Sequence, residues 1–379
     1  MNANYHNPVN ITFGAGALST LPALVAGRKT VVVTFPEAEA VGLSKRLHDL
    51  LGKDLVAMEA GTVPNPDVAS LTGMYERFWK EHAKAELIVG VGGGSALDTA
   101  KALMVGTPSG KFAELVALLA AGTPFKPARV KPLIAVPTTA GTGSEVTPWA
   151  TVWDRSPGVQ KKYSLHLKET WPEAALVDPE LTISLPAGPT LAAGLDALSH
   201  SLESIWNINS NPISDTFAIS AAREVLSALP QLMQNLGSLA LRRRMSLAAL
   251  KAGLAFSNTK TALAHSISYD MTLHHGLPHG IACSFTLPMV LERAIGADPL
   301  RDAVLEQVFS GRLRDAPKTL ESFLQRLEVS TDFASYGVAA DEAERMIASA
   351  LDGVRGKNFI GALKRPAPAT PTEEHKETT

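Results

Sequence analysis

The stretch Leu87–Lys101, LIVGVGGGSALDTAK, decides the fold of this chain. A short apolar run typical of a buried strand enters the glycine-rich turn Gly92–Ser95 and continues into a helix-favouring segment. Glycine permits tight turning, and the N-terminus of the following helix offers free N–H groups to a phosphate. The spacing departs from G-x-G-x-x-G, and no Gly-Lys-Ser/Thr follows, so a P-loop is disfavoured. A plain strand–helix turn is the alternative interpretation.

A second loop of similar composition follows another apolar run. Leu133–Pro137 reads LIAVP and leads into Pro137–Thr147, PTTAGTGSEVT. Hydroxyl groups and glycines at the ends of parallel strands suit phosphate and ribose binding. Two such loops in one half of the chain predict a dinucleotide site. The candidate hydroxyl groups belong to Thr138, Thr139, Thr142 and Ser144.

Strand-like and helix-like segments alternate through the first half of the chain. Lys29–Phe35 and Ala174–Asp178 are further apolar runs, and Asp67–Ala83 between them is amphipathic. This alternation predicts an α/β domain with a mostly parallel sheet covered by helices.

The composition changes at Leu185–Thr190, LPAGPT, where two prolines mark a boundary. Beyond it the chain is rich in Ala, Leu, Ser and Arg and shows helical periodicity, which predicts an all-helical domain. We therefore expect an α/β domain over residues 1–185 and a helical domain over residues 186–364. Residues 365–379 are rich in Pro, Thr and Glu, a composition that predicts a disordered tail.

The composition excludes several classes of protein. Of the 379 residues, 45% are hydrophobic and 19% charged, and the formal net charge is −2. No basic block indicates nucleic acid, no apolar run approaches the ~20 residues of a membrane helix, and the polar N-terminus lacks the core of a signal peptide. These features predict a soluble cytoplasmic protein without a nucleic-acid or membrane partner. The single cysteine, Cys283, is expected to be a small buried apolar residue.

The second half of the chain contains a candidate metal site. Leu195–Ser201 reads LDALSHS, and its Asp196 and His200 are four residues apart, which places both side chains on one helix face. Such a pair can chelate one divalent ion, although a histidine on a helix is more often a surface or hydrogen-bonded residue. A carboxylate with imidazoles suits Fe²⁺ or Zn²⁺. Ala264–Gly280 then supplies four further histidines, His265, His274, His275 and His279.

These motifs together resemble the iron-containing (group III) alcohol dehydrogenase family. The resemblance extends from Phe13 to about Gly356 and rests on GGGSALDTAK, PTTAGTGSEVT, DALSH and two histidines 14 residues apart, the second in HG. It implies a nucleotide-binding α/β domain, a helical domain and a site in the cleft between them, a fold also found in dehydroquinate synthase. It further implies a homodimer that performs NAD(P)-linked hydride transfer.

The resemblance also assigns roles to individual residues. The metal ligands would be Asp196, His200, His265 and His279. The cofactor site would include Gly93, Gly94, Ser95, Asp98, Thr138, Thr139, Thr142, Ser144 and Lys162. Trp149 and Asn258 are candidates for the substrate site.

Two departures from the family pattern concern the surroundings of the metal. Tyr269 occupies the position where many members have a histidine that relays a proton, so Tyr269 and His275 are the candidate catalytic residues, with Tyr269 as a passive wall the alternative. Lys260 replaces a residue that is usually small, and a cation there suits an anionic substrate. The segment NTKTALAHSISY resembles the phosphonoacetaldehyde reductase branch, which implies reduction of phosphonoacetaldehyde to 2-hydroxyethylphosphonate.

The choice of cofactor depends on the end of the Lys29–Phe35 strand. Members that prefer NADH often have an Asp there, which repels a 2′-phosphate. This chain has Phe35 at that position, with Glu37 nearby, so we expect NADPH or NADH to be used. Other readings are a generic primary-alcohol or diol dehydrogenase, a dehydroquinate-synthase-like lyase, and an inactive binding protein. The lyase is disfavoured because no cluster of lysines and arginines for a phosphorylated sugar acid is evident.

Overall fold

The computed structural model describes residues 3–363, and the predicted tail over 365–379 lies outside this range. Its N-terminal half is built on one six-stranded sheet in which every neighbouring pair of strands is parallel. The strand order is first, tenth, seventh, fourth, second, third. These six strands are β1 (Asn10–Phe13), β2 (Thr30–Val33), β3 (Leu55–Glu59), β4 (Leu87–Gly92), β7 (Leu133–Pro137) and β10 (Ala174–Val177).

The sheet is covered on both faces because its central strands are apolar on both sides. Along β2, Val31 and Val33 pack in a cluster with Phe78, while Val32 between them packs in a second cluster with Leu21 and other residues of the opposite layer. Strands buried on both faces read as continuous apolar runs, which is why the sequence revealed them. The covering helices are α1 (Leu21–Val25), α2 (Leu43–Leu51), α3 (Val68–Glu81), α4 (Gly94–Met104) and α5 (Phe112–Ala121).

Two short antiparallel pairs complete this half. β5 (Val105–Gly106) pairs with β6 (Arg129–Val130), and β8 (Trp149–Asp154) forms a hairpin with β9 (Lys161–His166). The sequence did not predict this hairpin, because Lys161–His166 is rich in polar residues and lies partly exposed. The four strands that were predicted are confirmed within two residues at their ends. The edge strands β1 and β3 were missed, since each is only partly buried.

The C-terminal half is helical, as predicted. Between residues 187 and 363, the described chain forms no strand beyond an isolated bridge between Asn207 and Phe359. The helices are α6 (Ala187–Ile205), α7 (Pro212–Gln234), α8 (Leu239–Thr259), α9 (Leu263–His274), α10 (His279–Ser284), α11 (Leu287–Ala294), α12 (Pro299–Phe309), α13 (Ala316–Arg326) and α14 (Ala340–Asp352).

The longest three helices, α6, α7 and α8, pack against one another around a single apolar cluster. Arg242 of α8 is almost fully buried and donates hydrogen bonds to Thr190 Oγ1 and to the carbonyl oxygen of Leu185, at the junction of the two halves. A buried guanidinium needs such acceptors, so these bonds fix the start of α6 against α8. No described helix is long and apolar enough to span a membrane.

Candidate metal centre and cofactor cleft

The two glycine-containing loops follow adjacent strands and touch each other. β4 and β7 are hydrogen-bonded neighbours, so their loops leave the same edge of the sheet. A methyl group built on Gly94 would lie 2.7 Å from Thr142 Cγ2, and one on Gly93 would lie 3.1 Å from Thr139 Cγ2. Any larger residue would therefore force the loops apart. Gly93 is also the N-cap of α4, so the free N–H groups at the start of that helix lie at the cleft.

A buried lysine that the sequence analysis overlooked connects the same two loops. Lys101 Nζ donates to Ser144 Oγ at 2.8 Å and to the carbonyl oxygen of Trp149 at 2.8 Å. Ser144 Oγ donates to Asp98, whose other carboxylate oxygen accepts from the N–H of Thr151. Burial lowers the pKa of Lys101 to about 8, although Asp98 opposes the shift. Asp98 and Ser144 thus position the loops, which adds a structural role to their predicted cofactor contact.

One cleft of about 1360 Å³ runs between the two halves. It is larger than the 300–1,000 Å³ usual for small-molecule pockets, as a dinucleotide and a substrate together would require. Its lining includes most of the predicted cofactor residues, namely Phe35, Gly93, Gly94, Ser95, Asp98, Thr139, Thr142, Ser144 and Lys162. Thr138 is the exception: it is buried beneath the loop and does not line the cleft.

The four predicted metal ligands converge at one end of this cleft. Asp196 Oδ1 lies 3.7 Å from His200 Nε2 and 3.4 Å from His265 Nε2. The rings of His265 and His279 are 5.5 Å apart, centre to centre. Two ligands on one tetrahedral ion, with bonds of 2.0–2.3 Å, are about 3.3–3.7 Å apart. The spacing of the donors therefore fits a divalent ion.

Two of the converging donor atoms have no hydrogen-bond partner within the described chain. Asp196 Oδ1 and His265 Nε2 are buried, and neither forms a hydrogen bond within the described chain. Buried polar atoms rarely stay unpaired, so their convergence indicates a cation. Burial lowers the pKa of His200 to about 4 and that of His279 to about 3, which keeps both imidazoles neutral and free to ligate. Burial favours a protonated Asp196, but His200 and the neighbouring histidines outweigh it and lower the Asp196 pKa.

Two further residues belong to this centre and were not recognised from the sequence. Glu203 is fully buried on α6 and lies 2.7 Å from His265 Nδ1. The sequence did contain a signal for Glu203, because this acidic residue lies seven positions after Asp196 and therefore on the same face of an apolar helix. Cys283 is buried as expected, yet its Sγ lies 3.6 Å from both ring nitrogens of His279 and not in apolar surroundings.

Aromatic rings form a wall beside the metal donors. Phe256 stacks on His200 with ring centres 4.0 Å apart, and Trp149 stacks on the other side of Phe256 at 5.6 Å. Both rings line the cleft. Trp149 therefore lies at the cleft beside the metal donors, and its contact with a substrate stays a prediction.

Two cations lie against the ring of Tyr269, and the sequence analysis overlooked one of them. Lys162 Nζ is 3.9 Å from the centre of the Tyr269 ring, and the Arg355 guanidinium is 4.8 Å from it. All three residues line the cleft. Burial lowers the pKa of Lys162 to about 7, assisted by Arg355, and burial lowers the pKa of Arg355 to about 10. Arg355 had no sequence signal, because it lies 76 residues after His279, the nearest predicted metal ligand in the chain.

The remaining candidates divide into those at the cleft and those away from it. Lys260 lines the cleft with an exposed side chain, directly after the end of α8. Asn258 does not line the cleft: its side chain pairs with the backbone of His6. His275 does not line it either, because it lies after α9 and turns toward Glu342 of α14, 3.3 Å away. The predictions for Asn258 and His275 are therefore not supported by their positions.

Family models match both halves of the chain. Residues 8–179 match the model described as iron-containing alcohol dehydrogenase, and residues 190–365 match the C-terminal model of the Fe-containing alcohol dehydrogenase family. The NAD-dependent methanol dehydrogenase of Bacillus methanolicus is 30% identical over 367 residues, covering 93% of this chain and 94% of that protein. The sulfoacetaldehyde reductase of Bilophila wadsworthia is 29% identical, covering 88% of each chain.

Solved structures show the same relationship. The crystal structure of sulfoacetaldehyde reductase from Bifidobacterium kashiwanohense in complex with NAD⁺ superposes with a TM-score of 0.86 and 29% identity, covering 95% of this chain and 94% of that one. The parallel sheet of the N-terminal half and the helices of the C-terminal half therefore form the architecture of these proteins. The chain belongs to the iron-containing alcohol dehydrogenase family and is an oxidoreductase that acts on alcohols.

Proposed function

We propose that this enzyme reduces a small aldehyde that carries an anionic group, with phosphonoacetaldehyde and its product 2-hydroxyethylphosphonate as the best candidates. The observation that carries the proposal is the pair of cations, Lys162 and Arg355, against the ring of Tyr269 in the cleft. Within residues 3–363, neither Lys162 nor Arg355 forms an ion pair with a carboxylate, although both have lost much of their contact with water. Desolvated cations without partners favour an anionic ligand.

Lys162 and Arg355 lie in the cleft where they could contact either the cofactor or the substrate. Lys162 is a candidate contact for the cofactor, which leaves Arg355 as the cation most available to the substrate. Lys260 adds a third positive charge at the exposed rim of the same cleft. Two relatives are named for sulfoacetaldehyde, an aldehyde with an anionic sulfonate group. A planar guanidinium can donate hydrogen bonds to two oxygens of a phosphonate or sulfonate at once. A neutral aldehyde has no such group to accept them.

The reduction converts RCHO, NAD(P)H and H⁺ into RCH₂OH and NAD(P)⁺. Each part of the site would contribute to one step of it. Asp196, His200, His265 and His279 would hold the divalent ion, Fe²⁺ or Zn²⁺. When bound, the ion supplies positive charge to a carbonyl oxygen and the nicotinamide supplies the hydride. The chain itself holds the dinucleotide over Gly93 and Gly94 and binds the anionic end of the substrate with Arg355 and Lys260.

Tyr269 is the candidate for the final proton transfer. It lies one helical turn after His265 on α9, and its buried hydroxyl forms no hydrogen bond within the described chain. A hydroxyl without a partner in the cleft is available to a substrate oxygen. We propose that Tyr269 donates the proton to the product oxygen and regains it from solvent.

The test compares anionic and neutral aldehydes in the Arg355→Gln and Lys260→Ala variants. For Arg355→Gln we expect kcat/KM for phosphonoacetaldehyde and sulfoacetaldehyde to fall about 10- to 100-fold, because a hydrogen bond to a charged group contributes about 1.5–3 kcal/mol. Propionaldehyde should change little. Lys260→Ala should raise KM for the anionic aldehydes by a smaller factor, since its side chain is exposed. Lys357→Ala removes an exposed charge two residues from Arg355, outside the cleft, and is the control.

The outcomes separate the candidate functions. Equal losses with charged and neutral aldehydes would contradict an anionic substrate and favour a general dehydrogenase of short alcohols or diols. The similarity to methanol and 1,3-propanediol dehydrogenases makes that the second candidate. No oxidation of NADH or NADPH with any aldehyde, with either Fe²⁺ or Zn²⁺ added, would favour a protein without activity.

The family resemblance supports three proposals about the whole protein. We propose a cytoplasmic homodimer whose chain divides into domains over residues 1–185 and 186–364. Light scattering on the purified protein tests the dimer, and a monomeric mass would contradict it.

A further inference from the structure

The only thiol in the chain lies within the cluster of metal donors. Cys283 is fully buried on α10, one helical turn after His279, so both side chains leave the helix on the same face. Its Sγ and one donor atom each from Asp196, His265 and His279 all lie within 4.8 Å of one another. The chain contains no other cysteine.

The distance between the thiol and one nitrogen of His279 is that of two ligands on one ion, and binding requires the imidazole to turn that nitrogen toward the ion. Sγ lies 3.6 Å from each ring nitrogen of His279. With bonds of about 2.3 Å to sulfur and about 2.05 Å to nitrogen, sulfur and nitrogen on one tetrahedral ion are about 3.6 Å apart. Asp196 Oδ1 is 3.4 Å from His265 Nε2, which fits the same ion.

A second observation points to a ligand independently of the cysteine. Asp196 Oδ1 and His265 Nε2 are buried without hydrogen-bond partners, and Asp196 and His265 are 3% and 4% exposed. These atoms face the volume that Sγ also faces. Buried cysteines are commonly small hydrophobic residues, but such residues lie among apolar side chains, and this one lies against imidazoles.

We propose that Cys283 is a sulfur ligand of the metal ion, so that the donor set contains a thiolate as well as a carboxylate and imidazoles. The thiol proton leaves to solvent when the ion binds. A thiolate favours borderline-soft ions such as Zn²⁺ and Co²⁺ over harder ions such as Mg²⁺ and Mn²⁺. The proposal concerns the metal alone and does not depend on the identity of the substrate.

Cobalt gives a direct test in the wild-type protein. Metal-free enzyme is titrated with Co²⁺ without oxygen, and absorption is recorded. We expect a sulfur-to-cobalt charge-transfer band in the near ultraviolet that grows in parallel with the visible ligand-field bands. Since Cys283 is the only thiol, this band has one possible source. X-ray absorption of the zinc-loaded enzyme should show one sulfur at about 2.3 Å.

Variants assign the signals to residues. In Cys283→Ser the visible bands should remain, the charge-transfer band should disappear, and the Kd for Zn²⁺ should rise at least about tenfold, as even loss of an outer contact costs about 10- to 100-fold. In Asp196→Asn both sets of bands should weaken, because the whole site is lost. Thermal melting of the metal-free variants verifies that they fold.

Two results would overturn the proposal. Visible cobalt bands in the wild-type enzyme without a charge-transfer band would show that the ion binds away from the thiol. A zinc shell of only nitrogen and oxygen would show the same. Both measurements use the unaltered chain, so they decide the matter even if Cys283→Ser fails to fold.

Discussion

The carboxylate of Glu203 lies 2.7 Å from Nδ1 of His265, and both side chains are buried. The same carboxylate accepts the backbone N–H groups of Ala262 and Ala264 at the start of α9. Burial would raise the pKa of Glu203, but His265 and these bonds outweigh it and keep the carboxyl ionised. An ionised Glu203 accepts the Nδ1 proton of His265, which leaves Nε2 to face Asp196. One residue thus fixes both the tautomer of a ligand and the helix that bears it.

Neutralising Glu203 should weaken metal binding without dismantling the site. In Glu203→Gln the amide oxygen can still accept from Nδ1, but the charge that strengthens the imidazole as a ligand is lost. We expect the Kd for Zn²⁺ to rise about 10- to 100-fold, measured by competition with a chelator. Glu292→Gln, an exposed change on α11, is the control. An unchanged Kd in Glu203→Gln would contradict this role.

Replacing Gly280 should displace a metal ligand through the backbone. A methyl group at Gly280 would lie 1.8 Å from the carbonyl oxygen of Ala192, so Gly280→Ala must push α10 away from α6. Because His279 is on α10 and Asp196 is on α6, the two would move apart. We expect Gly280→Ala to bind less than one equivalent of Zn²⁺ after dialysis, measured by metal analysis.

The control for this change is Gly188→Ala, at a glycine within α6. A methyl group there meets no atom within 4 Å. It should bind Zn²⁺ like the wild type. Full metal content and activity in Gly280→Ala would show that the helices can rearrange at little cost.

Removing the charge of Glu37 should favour NADPH. Glu37 lines the cleft beside Phe35, at the end of β2, where the adenosine ribose is expected. A carboxylate there repels a 2′-phosphate. We expect Glu37→Ala to raise kcat/KM for NADPH relative to NADH about tenfold, which corresponds to about 1.4 kcal/mol of repulsion.

Glu39→Ala serves as the control for cofactor choice, since Glu39 is exposed in the same segment and does not line the cleft. Its ratio of NADPH to NADH activity should equal that of the wild type. If Glu37→Ala leaves the ratio unchanged, Phe35 and not Glu37 governs this end of the site.

The use of anionic aldehydes should depend on pH through Lys162. Burial and the charge of Arg355 lower the Lys162 pKa to about 7, while Cys283, Asp98 and Asp196 act in the opposite direction. The lysine is charged below this pKa and neutral above it, so the attraction for an anion is nearly complete one pH unit below the pKa, half lost at about pH 7 and lost above it. We expect kcat/KM for sulfoacetaldehyde, divided by that for propionaldehyde, to fall between about pH 6 and 8, centred on the Lys162 pKa.

Sulfoacetaldehyde suits this measurement because its sulfonate keeps one charge over the whole range. Every reduction consumes one proton, and dividing by kcat/KM for a neutral aldehyde cancels the pH dependence that this proton causes. The pKa obtained from kcat/KM is that of the free enzyme. Lys162→Met should flatten the profile, whereas the exposed neighbour change Lys161→Met should not. A ratio that is constant with pH in the wild type would contradict the role of Lys162.

Much of the fold was predictable because its signals are local. Leu133–Pro137 was predicted with the bounds observed, since a strand buried on both faces is apolar at every position. The helix predicted over Asp67–Ala83 begins after Asp67, whose side chain accepts from the Ser70 N–H as an N-cap. The hairpin of β8 and β9 was missed because its strands have no such local pattern and are defined by their pairing.

The candidate metal site, like the fold, could be predicted from spacing alone only where its pattern is local. The four-residue spacing of Asp196 and His200 by itself determined one chelating pair, because helical periodicity places them on one face. The family motifs selected His265 and His279 from the other histidines. Spacing could not remove His275 from the candidates, since its direction is set by the end of α9 and by Glu342.

What only the tertiary structure decided is the surroundings of that site. Cys283 and Glu203 meet the ligands, and Arg355 meets Tyr269, across separations of up to 87 residues in the chain. These contacts come from the packing of α6, α9, α10 and the segment after α14, which no local periodicity encodes. The sequence by itself determined the fold and the pair of Asp196 and His200, because the patterns that predict them lie within short stretches of the chain. Charge and ligand softness around the site depend on residues that only folding brings together.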